Sequence, residues 1–190
     1  MTNIKNSKRL FFLFSLLAIS ILFSSNARAE VTSPEAAKSV VVVEASGLMD
    51  PVMVRMMEET LTKVDPNATI ALVFQINISG SVVQNDQIIA LGELISSSRT
   101  PISFWVGPSG SRAKGPIVEL ALISGDIGIS PGSKIGKIGQ SNFPINSFGV
   151  SQNFELEEKT LNYDEAIEKG IARSSPVLLE HLVGLEGFEV

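Results

Sequence analysis

The sequence of 190 residues contains no cysteine and a single histidine, His181. The missing cysteines exclude disulfides, a thiolate nucleophile and a Cys-ligated zinc, and one histidine cannot make a multi-histidine metal site. A Ser-His-Asp triad would have to use His181. The leucines around it predict instead a structural histidine on a surface or half-buried helix. Without cross-links, stability must come from an apolar core.

Aromatic and basic side chains are also scarce. The chain has one Trp and one Tyr, and its 15 Lys and Arg against 20 Asp and Glu give a formal charge of −5. The sequence has no cluster of basic residues to contact phosphates and few aromatic side chains to stack on bases, so it is not expected to bind nucleic acid. The glycine spacing of residues 131–139 lacks the order of a phosphate-binding loop, so we expect no nucleotide and no other cofactor.

The acidic residues form no pair suited to acid–base catalysis. Two groups of them fall in a predicted loop and on a predicted helix, where solvated faces are expected, with a calcium contact as the alternative. These residues are Glu155, Glu157, Glu158, Asp164, Glu165 and Glu168.

The longest apolar run lies near the N-terminus, where Leu10 to Phe23 follow three basic residues and precede the small residues that end at Ala29. This layout predicts a secretory signal peptide at residues 1–29. An uncleaved anchor is the alternative, but fourteen apolar residues are fewer than the roughly twenty that cross a bilayer. Cleavage leaves residues 30–190 as one exported domain, with 11 basic and 20 acidic residues and a formal charge of −9.

Strand and helix patterns alternate along this domain, which indicates right-handed βαβ crossovers, an α/β fold and a mainly parallel sheet. The predicted strands are Val40–Ser46, ended by Gly47, then Thr69–Asn77, Ile102–Val106 and Asp126–Ser130, with a weak terminal strand at Ile171–Arg173. The predicted helices are 51–64 after an Asp50 cap, Gln84–Ser97, Pro116–Ser124, a helix from an Asn162 capping box to Gly170, and Pro176–Val183. Residues 131–158 are rich in Gly, Ser and Asn with isolated apolar residues, and this composition predicts a partly mobile loop.

Three Gly- and Ser-rich segments, residues 77–83, 107–115 and 131–139, follow predicted strands, where parallel sheets place their functional loops. In the first, the backbone of Gly80 and Ser81 could supply an oxyanion hole, with a plain strand-to-helix turn as the alternative. In the second, Ser109 or Ser111 could pair with Lys114 as nucleophile and base, with a solvated turn as the alternative.

Two motifs in the second half of the chain carry a family resemblance. Pro131–Gly136 matches P-G-T-x-I-G, and Leu161–Ile171 matches L-T-x-x-E-A-L-x-x-G-V. With Val40–Gly47 as the first strand and Ile102–Gly110 as a later one, the order of segments resembles the ClpP-like serine protease domain of NfeD proteins, which are membrane-associated. The resemblance covers most of residues 30–190 and implies a ClpP/crotonase-like spiral of ββα units with a mainly parallel sheet.

The stretch that corresponds to the nucleophile motif of this family departs from it. The family's P-x-G-A-x-A-A-S-A-G corresponds to Pro108–Ile117, so its serine position is Gly115. Its D-T-P-G-G turn corresponds to Asn77–Ser81, in which one glycine, Gly80, remains. The resemblance therefore implies a serine protease fold whose nucleophile is missing.

The general-base lysine of the family has no aligned equivalent either. In the family it lies between P-G-T-x-I-G and a long helix, and the segment from Gly136 to Leu161 is too short to hold that helix. Lys114 and Lys137 are the candidate substitutes. For oxyanion or peptide binding, the resemblance leaves Gly80, Ser81 and Gly110.

The sequence therefore predicts an exported ClpP/NfeD-like domain that binds a peptide or a partner protein, including a membrane protein as a candidate, without cleaving it. Two alternatives stay open. One is a serine peptidase that uses a displaced Ser and Lys, and the other is a structural subunit that forms homo-oligomers.

Overall fold

A computed structural model of the chain describes residues 38–144, 147–149 and 154–188, which all belong to one compact unit. The predicted signal peptide lies outside the described residues. The strands are β1 (Ser39–Met49), β2 (Thr69–Ser81), β3 (Ile102–Val106), β4 (Arg112–Lys114), β5 (Ile127–Ile129), β6 (Lys134–Gly136), β7 (Thr160–Asn162) and β8 (Arg173–Ser174). The helices are α1 (Pro51–Lys63), α2 (Asn85–Ser97), α3 (Pro116–Ser124), α4 (Phe154–Glu158), α5 (Tyr163–Glu168) and α6 (Leu178–Val183), with a 3₁₀ turn at Ser147–Gly149.

The eight strands form one sheet in the order β7-β6-β4-β2-β3-β5-β8, and β1 pairs with β2 off this path. Every pair is parallel except β6 with β7. The first half of β2 pairs with β3, from Leu72 opposite Ile102, whereas its far end pairs with β4 at Ile78 opposite Ala113. The predicted α/β class with a mainly parallel sheet is confirmed.

The first two strands are longer than their apolar runs predict. Gly47 does not end β1, which continues to Met49 and pairs there with Ser81. β2 runs on through Gly80 to Ser81, so these two residues, predicted as a loop, are the end of a strand. Hydrogen bonds to neighbouring strands hold this polar backbone extended although the apolar pattern has already stopped.

The predicted first helix is confirmed together with its cap. The Asp50 carboxylate accepts a hydrogen bond from the Met53 backbone N–H at 2.8 Å, and Pro51 occupies the first turn. Val54, Met57 and Leu61 are buried at helical spacing. Asp50 therefore satisfies an otherwise unpaired N–H, and α1 covers the sheet with one apolar face.

The second half of the chain contains short strands that the sequence does not predict. β4 lies inside the predicted loop of residues 107–115, β6 inside the predicted loop of residues 131–158, and β7 pairs antiparallel with β6 through Ile135 opposite Leu161. The terminal strand lies at Arg173–Ser174 rather than Ile171–Arg173. Three residues are too few for a periodic pattern, so these strands depend on their neighbours in the sheet.

The capping box at the start of α5 is confirmed. The Asn162 side chain accepts from the Glu165 backbone N–H at 3.0 Å, and the Glu165 carboxylate accepts from the Asn162 backbone N–H at 2.8 Å. This reciprocal pair satisfies two N–H groups where the chain turns from β7 into the helix.

Part of the predicted mobile loop is tied to the core through a buried carboxylate. Glu119 of α3 accepts hydrogen bonds from the Ser141 hydroxyl at 2.5 Å, the Asn142 backbone N–H at 3.0 Å and the Asn142 side-chain amide at 2.5 Å. Phe143 packs so closely on α2 that a methyl group on Gly92 would lie 2.7 Å from its ring. The described part of this loop is therefore anchored, whereas residues 145–146 and 150–153 lie outside the described residues.

The single tryptophan is in the middle of the sheet. Trp105 of β3 is buried, and its indole N–H donates to the Ser175 carbonyl at 2.9 Å. Ser175 lies between β8 and α6, so this bond joins the central strand to the C-terminal segment.

Candidate functional site

Gly115 is placed where the carboxyl end of β4 meets the start of α3. It is the N-cap residue of α3, and Pro116 follows at the first helical position. The Gly115 N–H donates to the Lys137 carbonyl at 3.2 Å, and its carbonyl accepts from the Val118 N–H at 3.1 Å. Both backbone groups of Gly115 are thus engaged, which fixes the orientation of the turn.

The missing side chain of Gly115 would face the end of β2. A Cβ atom built there lies 3.8 Å from the Gly80 Cα and from the Ser81 N, and 3.9 Å from the Gly80 carbonyl carbon, which are ordinary contact distances. The backbone of Gly115 has φ 82° and ψ −154°, a region that residues with side chains rarely adopt. Three of the residues that the sequence singled out are therefore together, with room for a small group between them.

Exposed apolar side chains border this point. Leu48 at the end of β1 is 48% exposed and lies next to Gly80, from whose Cβ position its Cδ1 is 3.5 Å away. Val82 follows Ser81 directly, is 63% exposed, and donates its N–H to the Met49 carbonyl at 2.9 Å. Two exposed apolar side chains therefore lie near the backbone of this strand end.

The loop with the candidate serines lies at the other end of β4. The Ser109 hydroxyl is exposed and donates to the Pro131 carbonyl at 2.5 Å. Ser111 is buried, and Gly110 between them has φ 85°. β4 is extended, so each of its residues adds about 3.3 Å to the distance between this loop and Gly115. The structure does not bring Gly110 to the other oxyanion candidates.

The candidate lysines do not face these serines. Side chains alternate along β4, so Lys114 points away from the face on which Ser111 and Ala113 are buried. Lys137 is exposed in the turn after β6, with its backbone N–H bonded to the Lys159 carbonyl. Within the described residues, neither ammonium group makes a hydrogen bond to Ser109 or Ser111.

His181 lies far from Gly115, near the amino end of the parallel strands. It is fully buried, whereas the sequence predicts a surface or half-buried position. Its Nε2 is 2.7 Å from the Ser103 hydroxyl, which donates to the Asp126 carboxylate at 2.5 Å, and its Nδ1 is 3.4 Å from the Ser175 hydroxyl. Arg173 pairs with Asp126 at 2.9 Å.

These contacts assign the proton of the neutral imidazole. Since the Ser103 hydroxyl donates to Asp126, it accepts from His181, which places the imidazole proton on Nε2 and leaves Nδ1 to accept from Ser175. Asp126 bonds to Ser103 and Arg173 rather than to the histidine ring, so this is not a Ser-His-Asp catalytic arrangement. Ser103 and His181 are also closed off from solvent.

Burial, with Arg173 close by, lowers the pKa of His181 to about 4, although the Asp126 charge opposes the shift. Burial favours the neutral form of Asp126 as well, but the hydrogen bonds from Arg173 and Ser103 outweigh it and lower the pKa of this carboxyl below its usual range. A neutral histidine and an ionised aspartate are therefore the resting forms.

Sequence reasoning missed this network and the buried Glu119. Ser103 and His181 are 78 residues apart, and Asp126 and Arg173 are 47 apart, so no local pattern connects them. In the part of the chain that the structure describes, no group of three His, Asp or Glu side chains could hold a metal ion. No described helix is both long and apolar enough to span a membrane.

Comparison with solved structures identifies the architecture. The 1510-N membrane-bound stomatin-specific protease, solved as a point mutant in complex with a substrate peptide, superposes with a TM-score of 0.64 at 17% identity over 82% of this chain and 87% of that one. The chain has the ClpP/crotonase fold. The 1510-N membrane protease specific for a stomatin homolog from Pyrococcus horikoshii gives a TM-score of 0.62 at 17% identity, over 78% of this chain and 79% of that one.

The same fold is found in enzymes of another class. An enoyl-CoA hydratase/isomerase from Marinobacter aquaeolei gives a TM-score of 0.58 at 15% identity, over 76% of this chain and 69% of that one. The predicted fold is confirmed, and the neighbours include an NfeD-family, ClpP-like protease of the kind that the sequence resembles. At these identities the similarity extends to the fold. No protein-family model and no curated protein matches the sequence.

Proposed function

We propose that this ClpP-fold domain binds an extended peptide segment, free or within a partner protein, beside Gly115 and does not cleave it. The observation that carries the proposal is the geometry of Gly115. A side chain at this position would face the Gly80–Ser81 backbone at contact distance, and the residue there has only a hydrogen atom. A serine protease needs a nucleophile next to its oxyanion donors, and this position supplies none.

The end of β2 provides the binding surface. Extended peptides bind proteins by hydrogen bonding to main chain that a sheet leaves exposed, as at a sheet edge, and side-chain pockets supply the specificity. Here Gly80 and Ser81 offer backbone, while the exposed side chains of Leu48 and Val82 nearby offer apolar contact. The similar protease 1510-N was solved with a substrate peptide, which supports peptide binding on this fold. We expect a ligand segment rich in apolar residues.

The rival function is a peptidase in which Ser109 or Ser111 works with Lys114 or Lys137. Ser109 is accessible but donates its proton to a backbone carbonyl, and Ser111 is buried away from Lys114. Cleavage by either serine would require the loop between β3 and β4 to rearrange.

Labelling with a fluorophosphonate separates the two functions. The protein is expressed from its full sequence, purified and treated with the probe, and its intact mass is measured by mass spectrometry. The untreated mass also gives the N-terminus and tests cleavage after Ala29. We expect no adduct on protein that circular dichroism shows to be folded. A stoichiometric adduct mapped to Ser109 or Ser111 would contradict the non-catalytic proposal.

Peptide binding is tested on an immobilised library of random ten-residue peptides. Leu48→Asp is expected to abolish binding, because it places a charge beside Gly80. Leu179→Asp is the matched control, since Leu179 has a similar exposure, 54%, and lies on α6. Equal binding by the two variants, or no binding by the unmodified protein, would refute the proposed site.

A further inference from the structure

The long strand β1 has an edge without a described partner. Its eleven residues include ten that have partners in β2, and no other described strand pairs with it. The remaining sheet edges are β7 and β8, which are three and two residues long. Natural proteins usually protect long edge strands with charges, proline or a covering element, because an open edge invites pairing with another chain. The first half of β1 instead contains four valines in succession, Val40–Val43.

The charges at the ends of this segment are complementary to each other. Side chains alternate along a strand, so Val40, Val42 and Glu44 of β1 lie on one face. Lys38 directly precedes β1, and pairing with a second copy would extend the strand by one residue and place Lys38 on the same face. Lys38 and Glu44 are exposed and Val42 is 39% exposed. When two such strands run antiparallel with Val41 on a twofold axis, each Lys38 lies opposite Glu44 of the other copy, and each Val40 lies opposite the other Val42.

Other registers lose this match. A shift that places Val42 on the axis sets Lys38 opposite Ser46 and Val40 opposite Glu44, and a shift that places Val40 there sets Lys38 opposite Val42. If the twofold axis lay between two residues, even-numbered residues of one copy would lie opposite odd-numbered residues of the other. The exposed face of one copy would then pair with the helix-covered face of the other. Opposite charges and β-branched pairs both stabilise antiparallel strands, and a charge against a valine does not.

The odd-numbered face of β1, which α1 covers, is incompletely filled near this edge in the part of the chain that the structure describes. A groove of about 580 Å³ lies between β1 and α1. It is lined by the apolar residues Val41, Val52, Met56 and Val64 and by the polar residues Arg55, Glu59, Thr60 and Lys63. Val52 is 75% exposed. In the register centred on Val41, Val41 and Val43 of the second copy extend the odd-numbered face of the sheet over this groove.

We propose that β1 is the contact surface between two copies of this chain, which pair antiparallel through residues 38–44 with Val41 on the twofold axis. The interface is isologous, because every contact occurs twice. Residues 38–44 lie at the opposite end of β1 from Leu48, so the proposal does not depend on the peptide site.

Charge exchange tests the register. The protein is expected to be a dimer by light scattering and sedimentation. Glu44→Lys should raise the dimer dissociation constant about tenfold, because symmetry places two like-charged pairs where two ion pairs were. Adding Lys38→Glu should restore the constant to within about threefold of the original. Glu93→Lys makes the same charge change on an exposed residue of α2 and should have no effect.

Disulfide trapping tests the axis, in a chain that has no cysteine of its own. In the Val41→Cys variant the two introduced cysteines, one from each copy, would have Cα atoms about 5 Å apart, within bridging distance. In Val42→Cys the two cysteines would be about 8 Å apart, so this variant should not cross-link. A monomer at all concentrations, a dimer insensitive to the charge exchange, or equal cross-linking of the two cysteine variants would overturn the proposal.

Discussion

The buried histidine predicts a loss of stability in mild acid. His181 accepts at Nδ1 from Ser175, whose hydroxyl in turn accepts from Arg173 at 3.3 Å, and donates through Nε2 to Ser103. A second proton would bind to Nδ1 and point at the hydroxyl hydrogen of Ser175. The charged ring would also repel the Arg173 guanidinium, without water to screen the repulsion. The folded protein therefore resists protonation of a group that the unfolded chain protonates freely.

The size and sign of the effect follow from linkage. The pKa of His181 falls from 6.5 to about 4 on folding, and one pKa unit corresponds to about 1.4 kcal/mol, so the full loss is about 3 kcal/mol. Above pH 6.5 both states are neutral and the free energy of unfolding does not change. Between pH 6.5 and 4 only the unfolded state gains the proton, and the free energy of unfolding falls by up to about 1.4 kcal/mol per pH unit. Protonation of Asp126 adds a further loss below pH 4, because folding lowers its pKa.

Urea unfolding between pH 7.5 and 4.5 measures this dependence. The sequence has one histidine, so His181→Gln removes the histidine titration completely. We expect the variant to be less stable at pH 7.5 but nearly flat in stability down to pH 5. Glu59 and Glu155 are exposed carboxylates whose pKa values are lowered. Their protonation changes the free energy of unfolding mainly below pH 5, outside the range in which the variant should be flat. A slope in the variant equal to that of the unmodified protein, or no slope in either, would refute the reasoning.

Two further substitutions test the backbone and the anchored loop. Gly115→Ala should lower the free energy of unfolding by about 1–3 kcal/mol through backbone strain at φ 82°, whereas Gly80→Ala, which meets only Leu48 at 3.5 Å, should change it by less than about 0.5 kcal/mol. Equal effects on thermal unfolding would show that strain at Gly115 is not the cause. Glu119→Ala should cost about 2–4 kcal/mol because it leaves the donors of Ser141 and Asn142 unpaired, and Glu119→Gln should cost less. If urea unfolding finds the two variants of Glu119 equally stable, the carboxylate does not anchor the loop.

The elements with local signals are those that the sequence predicts well. α1 has a cap, a first-turn proline and a buried face at helical spacing, and α5 has a capping box within four residues. β3 is a five-residue strand that is apolar except for Ser103 and buried throughout, as expected of a central strand. Each of these signals lies within one element, where neighbouring residues determine the conformation.

The short strands and the ends of the long ones are different. β4 and β7 contain three residues each, and their hydrogen bonds go to strands distant in sequence. β2 continues past its apolar run because β1 and β4 flank it. Non-local pairing, and not local composition, determines these boundaries.

The candidate site shows the same division. The motif around Gly115 predicts that the residue at the start of α3 has no side chain. The fold adds that this residue lies close to Gly80 and Ser81. The separation of Lys114 from Ser111 depends on the alternation along β4, a strand that the sequence does not predict. The burial of His181 depends on three elements whose meeting no local pattern reveals.

The hydrogen bond from Trp105 to the Ser175 carbonyl allows intrinsic fluorescence to report whether the C-terminal segment is docked. With one tryptophan in the chain, all indole emission comes from β3, at the place where the C-terminal segment docks. Detachment of that segment would free the indole N–H and admit water, which shifts indole emission to longer wavelength. Because Ser175 also contacts His181, acid-induced release of the C-terminal helix and global unfolding can be followed separately, by emission wavelength and by circular dichroism.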